Sequence, residues 1–551
     1  DKGLNMVGVG LLYRDGYHDQ QLSRDCGQVP HPVKWDLEKV EGLRLLRDKS
    51  VKVKIEGREV TFRLWQYDVV GGSGHVVPLI LLDSVCPENE KLEGLKDITR
   101  QLYKNHDPWW KITQEMALGI GGMRALELLY PGRKFNYHLN EGHAAMAPVE
   151  YLMTHCKDPG NPSDKELEDA RAHFTCTTHT PVPAGHDRFF ISGKLDYIFP
   201  SLPGHLSLMQ RFGLDPDNPA LINMTILMMN LSRRINAVSR QHLRMTQGMF
   251  PGFSEKMASI TNGVHPYTWA SPEMADTFDR FCPAWRKNPE RLIGLFRLCY
   301  DREFREGMWK AHKAAKKRLI DEISRRHPAS GLDENAFTIG FARRAAGYKR
   351  ADLVFTDIEE LINVATEISR RHGNIQIIFA GKAHYEDGVG AGIIKWMLSK
   401  IAEVNAKGRG KIKVVYLENH DLELGKLMVS GSDVWLNNPL PPFEASGTSG
   451  MKAALNGVPQ ISTLDGWWLE GHHDGATGWS FGAQPKLDQN PNDGRYREDS
   501  VQLYATLREV TRSYYSKRED WISRMIRAIA LNGSYFHTHR MLDDYIKFWN
   551  S

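Results

Sequence analysis

The stretch FEASGTSGMKAALNG, residues 443 to 457, crowds small residues and hydroxyls into a turn, then places one lysine, Lys452, where the pattern becomes helical. Gly447 and Gly450 allow a ligand close to the backbone, and Thr448 or Ser449 is placed to cap the helix that follows. Free N–H groups at a helix start, aided by the helix dipole, attract an anion. Lys452 lies within the first turn or so of that point. A phosphate held beside an amine that can lose its proton is what a Schiff-base cofactor such as pyridoxal 5'-phosphate (PLP) requires. Spacing alone leaves other readings open. A nucleotide-binding loop fits less well, because G-x-x-x-x-G-K-[ST] is absent, and a tight strand-to-helix turn with a surface lysine fits as well as the cofactor does.

A second segment, RRAAGYKR, residues 343 to 350, packs four cations into eight residues. Such a run is either a solvated basic loop or a group of like charges that an anion holds together. No metal set accompanies these motifs. H-E-x-x-H is missing, the pair His472–His473 reads as loop surface, and the six cysteines are scattered without metal-type spacing. That cysteine usage fits a reduced, cytoplasmic setting.

The elements that position these motifs form two patterns. From FTIGFARR (337–344) through IQIIFAGKA (375–383), KIKVVYLEN (411–419), DVWLNN (433–438) and VPQISTL (458–464), short apolar runs alternate with helical patterns such as 352–371 and 421–431. Alternation of this kind predicts a doubly wound parallel sheet with right-handed crossovers and a ligand at the carboxyl ends of its strands. Residues 1 to about 265 are mixed, with strands first (VKVKIEG, EVTFRLWQYDVV) and helices later. A long amphipathic helix over 302–326 precedes the turn-rich HPASGLDENA, so the boundary is expected near 330. The expected architecture is α/β and two-lobed, with a cleft between an N-terminal lobe (1–330) and a C-terminal lobe (331–530).

Bulk properties narrow the partners. With 551 residues, a net charge of only +4 and interleaved charges, nothing argues for nucleic acid. The longest apolar run, LINMTILMMNL (221–231), is too short to cross a bilayer and predicts a buried helix. No signal peptide is evident.

Together with ITNGVHPYTW (260–269), FARRAAGYKRADL (341–353), YHLNEGHAA (137–145) and FTCTTHTPVPAGHDRF (174–189), the lysine segment resembles the α-glucan (glycogen/starch/maltodextrin) phosphorylases, most closely the shorter bacterial and archaeal type. The resemblance implies a GT-B-like fold of two Rossmann-like domains. It further implies that HTHRMLDDYIKFW belongs to a closing helix, 531–551, that packs back on the N-terminal lobe. In that family the lysine matching Lys452 holds PLP as a Schiff base, and Gly447, Thr448 and Ser449 hold the cofactor phosphate. Glu444 matches a carboxylate that bonds the sugar, with Ala445, Ser446 and Gly447 offering backbone N–H groups. Arg344 and Lys349 match phosphate contacts, with Arg343 and Tyr348 beside them. His179 matches a histidine whose carbonyl faces the glucosyl unit, Asn262 a residue on the sugar hydroxyls, and Asn140 and His143 cleft residues. A histidine satisfied within the core is the competing reading of His143. The activity implied is reversible phosphorolysis of terminal α-1,4-glucosyl units to α-glucose 1-phosphate with retention. In it the PLP phosphate exchanges a proton with the substrate phosphate, which protonates the leaving oxygen. Dimers are the family habit. Chain length of the glucan and allosteric control stay open.

Four departures qualify this. The family's glycine-rich segment upstream of MVGVGLLYR would lie before Asp1, and the sequence lacks an initiator Met, so a preceding N-terminal portion is expected, the alternative being a protein that lacks this piece of the active site. Leu440 and Pro441 stand where the shorter enzymes usually carry two arginines. His420 stands where many relatives have tyrosine, and Gly347 loosens the loop before Lys349. Two rival readings accompany the phosphorylase one: a nucleotide-sugar-dependent glucan synthase, which needs no PLP lysine, and a catalytically silent glucan-binding homologue.

Overall fold

Six short apolar runs between residues 337 and 481 pair side by side, all parallel, in the order Ile412–Leu417, Ile375–Ala380, Phe337–Ala342, Val434–Asn437, Gln460–Thr463, Gly478–Phe481. Nearly every residue of the central strands is buried, which is why FTIGFA and IQIIFA are mostly apolar and do not alternate; their two polar residues pair, Gln376 Nε2 donating to Thr338 Oγ1 at 2.7 Å. Numbered along the chain the order is 3-2-1-4-5-6, so winding reverses between Phe337–Ala342 and Val434–Asn437. The loops leaving those two strands are RRAAGYKR and NPLPPFEASG. The reversal point therefore brings the two motifs together, although about a hundred residues separate them.

In this computed structural model, residues 1–551 are described except 24, 26, 103–106, 487–489, 491, 492 and 494. A second parallel sheet runs Met257–Ser259, Arg234–Ala237, Phe174–Thr177, Tyr137–Asn140. Asn140, His179 and Asn262 sit at or just beyond the carboxyl ends of three of its strands. A third, mixed sheet pairs Gly8–Leu11, Val76–Asp83, Arg58–Val70 and Leu43–Ile55. One large apolar cluster spans Leu11 to Phe250 and another Met274 to Ile529.

Several local expectations shift. The helix expected over 352–371 begins only at Ile358, capped by Asp357, whose Oδ1 accepts from the Glu360 N–H at 2.9 Å; a short 3-10 turn, Leu353–Phe355, precedes it. LINMTILMMNL divides into a strand, Leu221–Asn223, and a buried helix, Met224–Asn230, because Asn223 caps the helix in mid-run. The strand Gly478–Phe481 closes the six-stranded sheet without an apolar run long enough to announce it.

The helix Arg302–Arg326 packs on the C-terminal side. Phe304 and Met308 join the cluster around the six-stranded sheet, and Leu319 and Ile323 pack with Leu424 and Met428. The final helix, Thr538–Asn550, lies on the second sheet. There the Trp549 indole N–H reaches His138 Nδ1 at 3.1 Å, and Asn236 Nδ2 donates to the Tyr545 hydroxyl at 3.2 Å. No described helix is long and apolar enough to cross a membrane.

Candidate active site

Lys452 sits on the helix Thr448–Leu455, half-buried, with its ammonium 3.7 Å above the ring of Trp269. No carboxylate pairs with it among the described residues. Burial alone pulls its pKa down from 10.5 to about 8, because a poorly hydrated ammonium is disfavoured. Asn456 ties the arrangement together, donating from Nδ2 to the Trp269 carbonyl at 2.7 Å and to the Lys452 carbonyl at 2.9 Å. Neither Trp269 nor Asn456 was singled out from sequence; the neighbouring motif words ITNGVHPYTW and KAALNG were the only signal.

The helix start differs from expectation. Thr448 and Ser449 are its first residues and do not cap it. The cap is Gly447, held at φ 84°, ψ 56°, where a β-carbon is penalised, and no side chain closes over the first N–H groups. Those donors are thus left for an anion. Ser449 Oγ accepts from the Trp435 indole at 3.2 Å. Gly450 serves packing: a Cβ there would lie 1.7 Å from Gln460 Oε1, so its role is the close approach of helix and sheet and not of ligand and backbone.

Two cations of RRAAGYKR converge on Glu444. Arg343 Nη2 and Lys349 Nζ each donate to its Oε2 at 2.5 Å, and Arg343 also donates to Asn437 Oδ1. Burial opposes the Glu444 charge, but the Arg343 and Lys349 charges outweigh it and hold the carboxyl below its usual range. Lys349 is depressed to about 7, first by burial and then by Arg343. Tyr348 lies under the Lys349 ammonium, 4.6 Å from ring centre, and burial pushes its hydroxyl up to about 12. The other two cations separate. Arg350 is buried on Asp499 at 2.7 Å and on the Asn438 and Pro439 carbonyls, a structural role. Arg344 is exposed and faces the cavity. The anion that the cation run called for is thus partly internal.

Behind Glu444 lies Asp465, fully buried, whose carboxylate accepts from the Glu444 N–H at 2.8 Å; burial raises its pKa well above the usual carboxyl range. The Ala445 carbonyl accepts from Ser239 Oγ at 2.6 Å and the Ser446 carbonyl from the Trp467 N–H at 2.8 Å. The turn is thereby pinned with its carbonyls inward. Leu440 is buried, and Gly347 is exposed with open space around it.

A cavity of about 890 Å³ opens between the carboxyl end of the six-stranded sheet and the N-terminal half. Arg343, Arg344 and His420 line one side and His143, Lys111 and Glu115 the other. Burial lowers the His420 pKa; Asp421 opposes the shift, and Lys452 and Lys382 reinforce it. On the second sheet His179 Nε2 meets Asn140 Oδ1 at 3.2 Å. The His179 N–H donates to Glu141, which sits at φ 59°, ψ 177°. That region is nearly exclusive to glycine and costs about 1–3 kcal/mol; the Thr180 hydroxyl, at 3.0 Å, adds a second bond to the same carboxylate oxygen. The Asn262 carbonyl accepts from Arg540 at 3.0 Å, tying that turn to the final helix. His143 reaches towards Asp187 instead of lying in a core.

The Lys452 amine has a testable reactivity. Only its neutral form attacks an aldehyde, so the initial rate of pyridoxal phosphate capture by cofactor-free protein should rise with pH and reach half its plateau near pH 8. Mapping the borohydride-fixed peptide against pH measures this; a midpoint near that of a free lysine would refute the desolvated amine.

The model of the carbohydrate phosphorylases matches residues 194–551. The chain is 37% identical to a maltodextrin phosphorylase of Thermococcus litoralis over 100% of its own length and 66% of that protein. It is 33% identical to a glycogen phosphorylase of Aquifex aeolicus, covering 100% of the chain and 81% of the relative. A glycogen phosphorylase of Mycobacterium tuberculosis is 32% identical, over 99% and 66%. The chain therefore spans about two thirds of the length of two of these three relatives.

Proposed function

Because the chain belongs to the carbohydrate phosphorylase family, we propose that it carries out phosphorolysis of terminal α-1,4-glucosyl units, with PLP held on Lys452 and α-glucose 1-phosphate released with retention. The observation that carries this reading is the pairing of an unpaired, desolvated Lys452 amine with an uncapped helix start one turn away. A glucan synthase using nucleotide sugars has no use for such an amine.

The residues fit the cofactor. Lys452 supplies the amine, Gly447 to Ser449 the N–H groups for its phosphate, and Trp269 an apolar wall. When bound, the cofactor supplies a phosphate that exchanges a proton with inorganic phosphate. The chain does the rest. Arg344 meets the incoming phosphate, and Arg343 and Lys349 turn to it from Glu444, so that dianion charge is neutralised where water is scarce. Glu444, released, accepts from a sugar hydroxyl, while the N–H groups of Ala445 and Ser446 orient the ring. Asn262, Asn140 and the His179 carbonyl hold the glucosyl unit from the opposite sheet, positioned by Glu141. We place the division between lobes near residue 270, earlier than 330, since residues from Met274 onward pack with the six-stranded sheet. Closure of the lobes excludes water and favours phosphorolysis over hydrolysis.

Incubation of PLP-loaded protein with maltodextrin and inorganic phosphate tests the proposal. The expected result is formation of α-glucose 1-phosphate that depends on both inorganic phosphate and PLP. Glucan bound without product supports the silent homologue, and turnover with a nucleotide sugar supports the synthase.

A further inference from the structure

Across the cavity from Arg344, three donor side chains converge, with one cation, Lys111, at the edge of the group on Asp187. Glu115, near the end of the helix Pro108–Met116, is only 2% exposed, and both its carboxylate oxygens lack a hydrogen-bond partner among the described residues. Asp187, just before the strand Arg188–Phe190, faces it, and His143 on the turn Gly142–Ala144 points Nε2 at Asp187 Oδ2 from 3.6 Å. One donor atom from each of the three lies within 4.8 Å of the others. Lys111, one turn before Glu115, takes Asp187 Oδ1 at 2.6 Å and leaves Oδ2 open.

Lys111 compensates one oxygen of Asp187, but Glu115 and Asp187 Oδ2 still face each other, and that contact needs a shared proton or a further cation. A shared proton uses two donors and leaves the imidazole without purpose. A metal ion uses all three and keeps its remaining positions for water or a ligand in the cavity. We propose that Glu115, His143 and Asp187 bind a divalent transition-metal ion at the cavity wall. Two carboxylates with one imidazole suit Mn²⁺ or Zn²⁺ over Mg²⁺, since imidazole is a poor ligand for hard cations. His143 then acts on any cavity ligand through the ion, and the site stands whether or not the chain performs phosphorolysis.

The test is titration of metal-stripped protein with Mn²⁺, read by the loss of the free-ion paramagnetic resonance signal, and with Zn²⁺ by calorimetry. The expected result is one ion per chain, not displaced by equal Mg²⁺, with Glu115→Gln and His143→Ala each weakening binding at least about tenfold. His143 is exposed, so His143→Ala keeps the fold and decides the matter if the buried Glu115→Gln does not fold. No stoichiometric binding by the wild-type chain, or binding that His143→Ala leaves unchanged, overturns the proposal and leaves Glu115 and Asp187 as a proton-sharing pair.

Discussion

Lys452→Ala is expected to lower phosphorolysis by about three orders of magnitude or more, the scale on which removing one member of a catalytic unit disables the whole, while the fold persists. Alanine is the best helix former, and the ammonium forms only a cation–π contact with Trp269, worth about 0.5–2 kcal/mol. The melting temperature should therefore fall little. Three readouts separate the effects: absorbance of bound PLP, product formation, and melting of the cofactor-free protein. Cofactor-free wild type and variant should melt almost together, whereas only the wild type should fix the cofactor on borohydride treatment. A variant that still turns over glucan at a substantial fraction of the wild-type rate would remove Lys452 from the centre of the site.

The second large effect concerns Glu444. Glu444→Gln leaves Arg343 and Lys349 side by side, both nearly buried, with no counter-charge. Breaking a buried pair in this way costs about 3–5 kcal/mol, lessened as the Lys349 amine, already at about 7, gives up its proton. In phosphate-free buffer the variant should melt well below the wild type. Inorganic phosphate should restore more of the loss than it adds to the wild type, because it now meets two uncompensated cations. Glucosyl turnover should fall with it, since the sugar loses an acceptor. Equal stabilisation of both proteins by phosphate would show that the cation pair and the phosphate site are separate.

Much of this site was legible along the chain. GTSGMK and RRAAGYKR stand out by local composition, their chemistry is read through the family resemblance and not from spacing, and the strand runs around them are apolar enough to set the sheet class. Where a side chain supplies its own competing cap, as at Asn223 and Asp357, boundaries moved, because one hydrogen bond decides a helix start against a weak periodicity.

What the sequence by itself determined was therefore local: which segments are strands, where a lysine follows a glycine turn, and that cations outnumber acids in one loop. Tertiary structure alone decided who meets whom. The 3-2-1-4-5-6 order brings residues 343–350 beside 444–452 and gives Arg343 and Lys349 to Glu444, while Arg350 goes to Asp499. Packing outside that sheet desolvates Lys452 against Trp269 and sets Glu115 facing Asp187. The physical reason is that periodicity and propensity act over a few residues, whereas charge pairing and burial depend on crossovers that join segments a hundred residues apart.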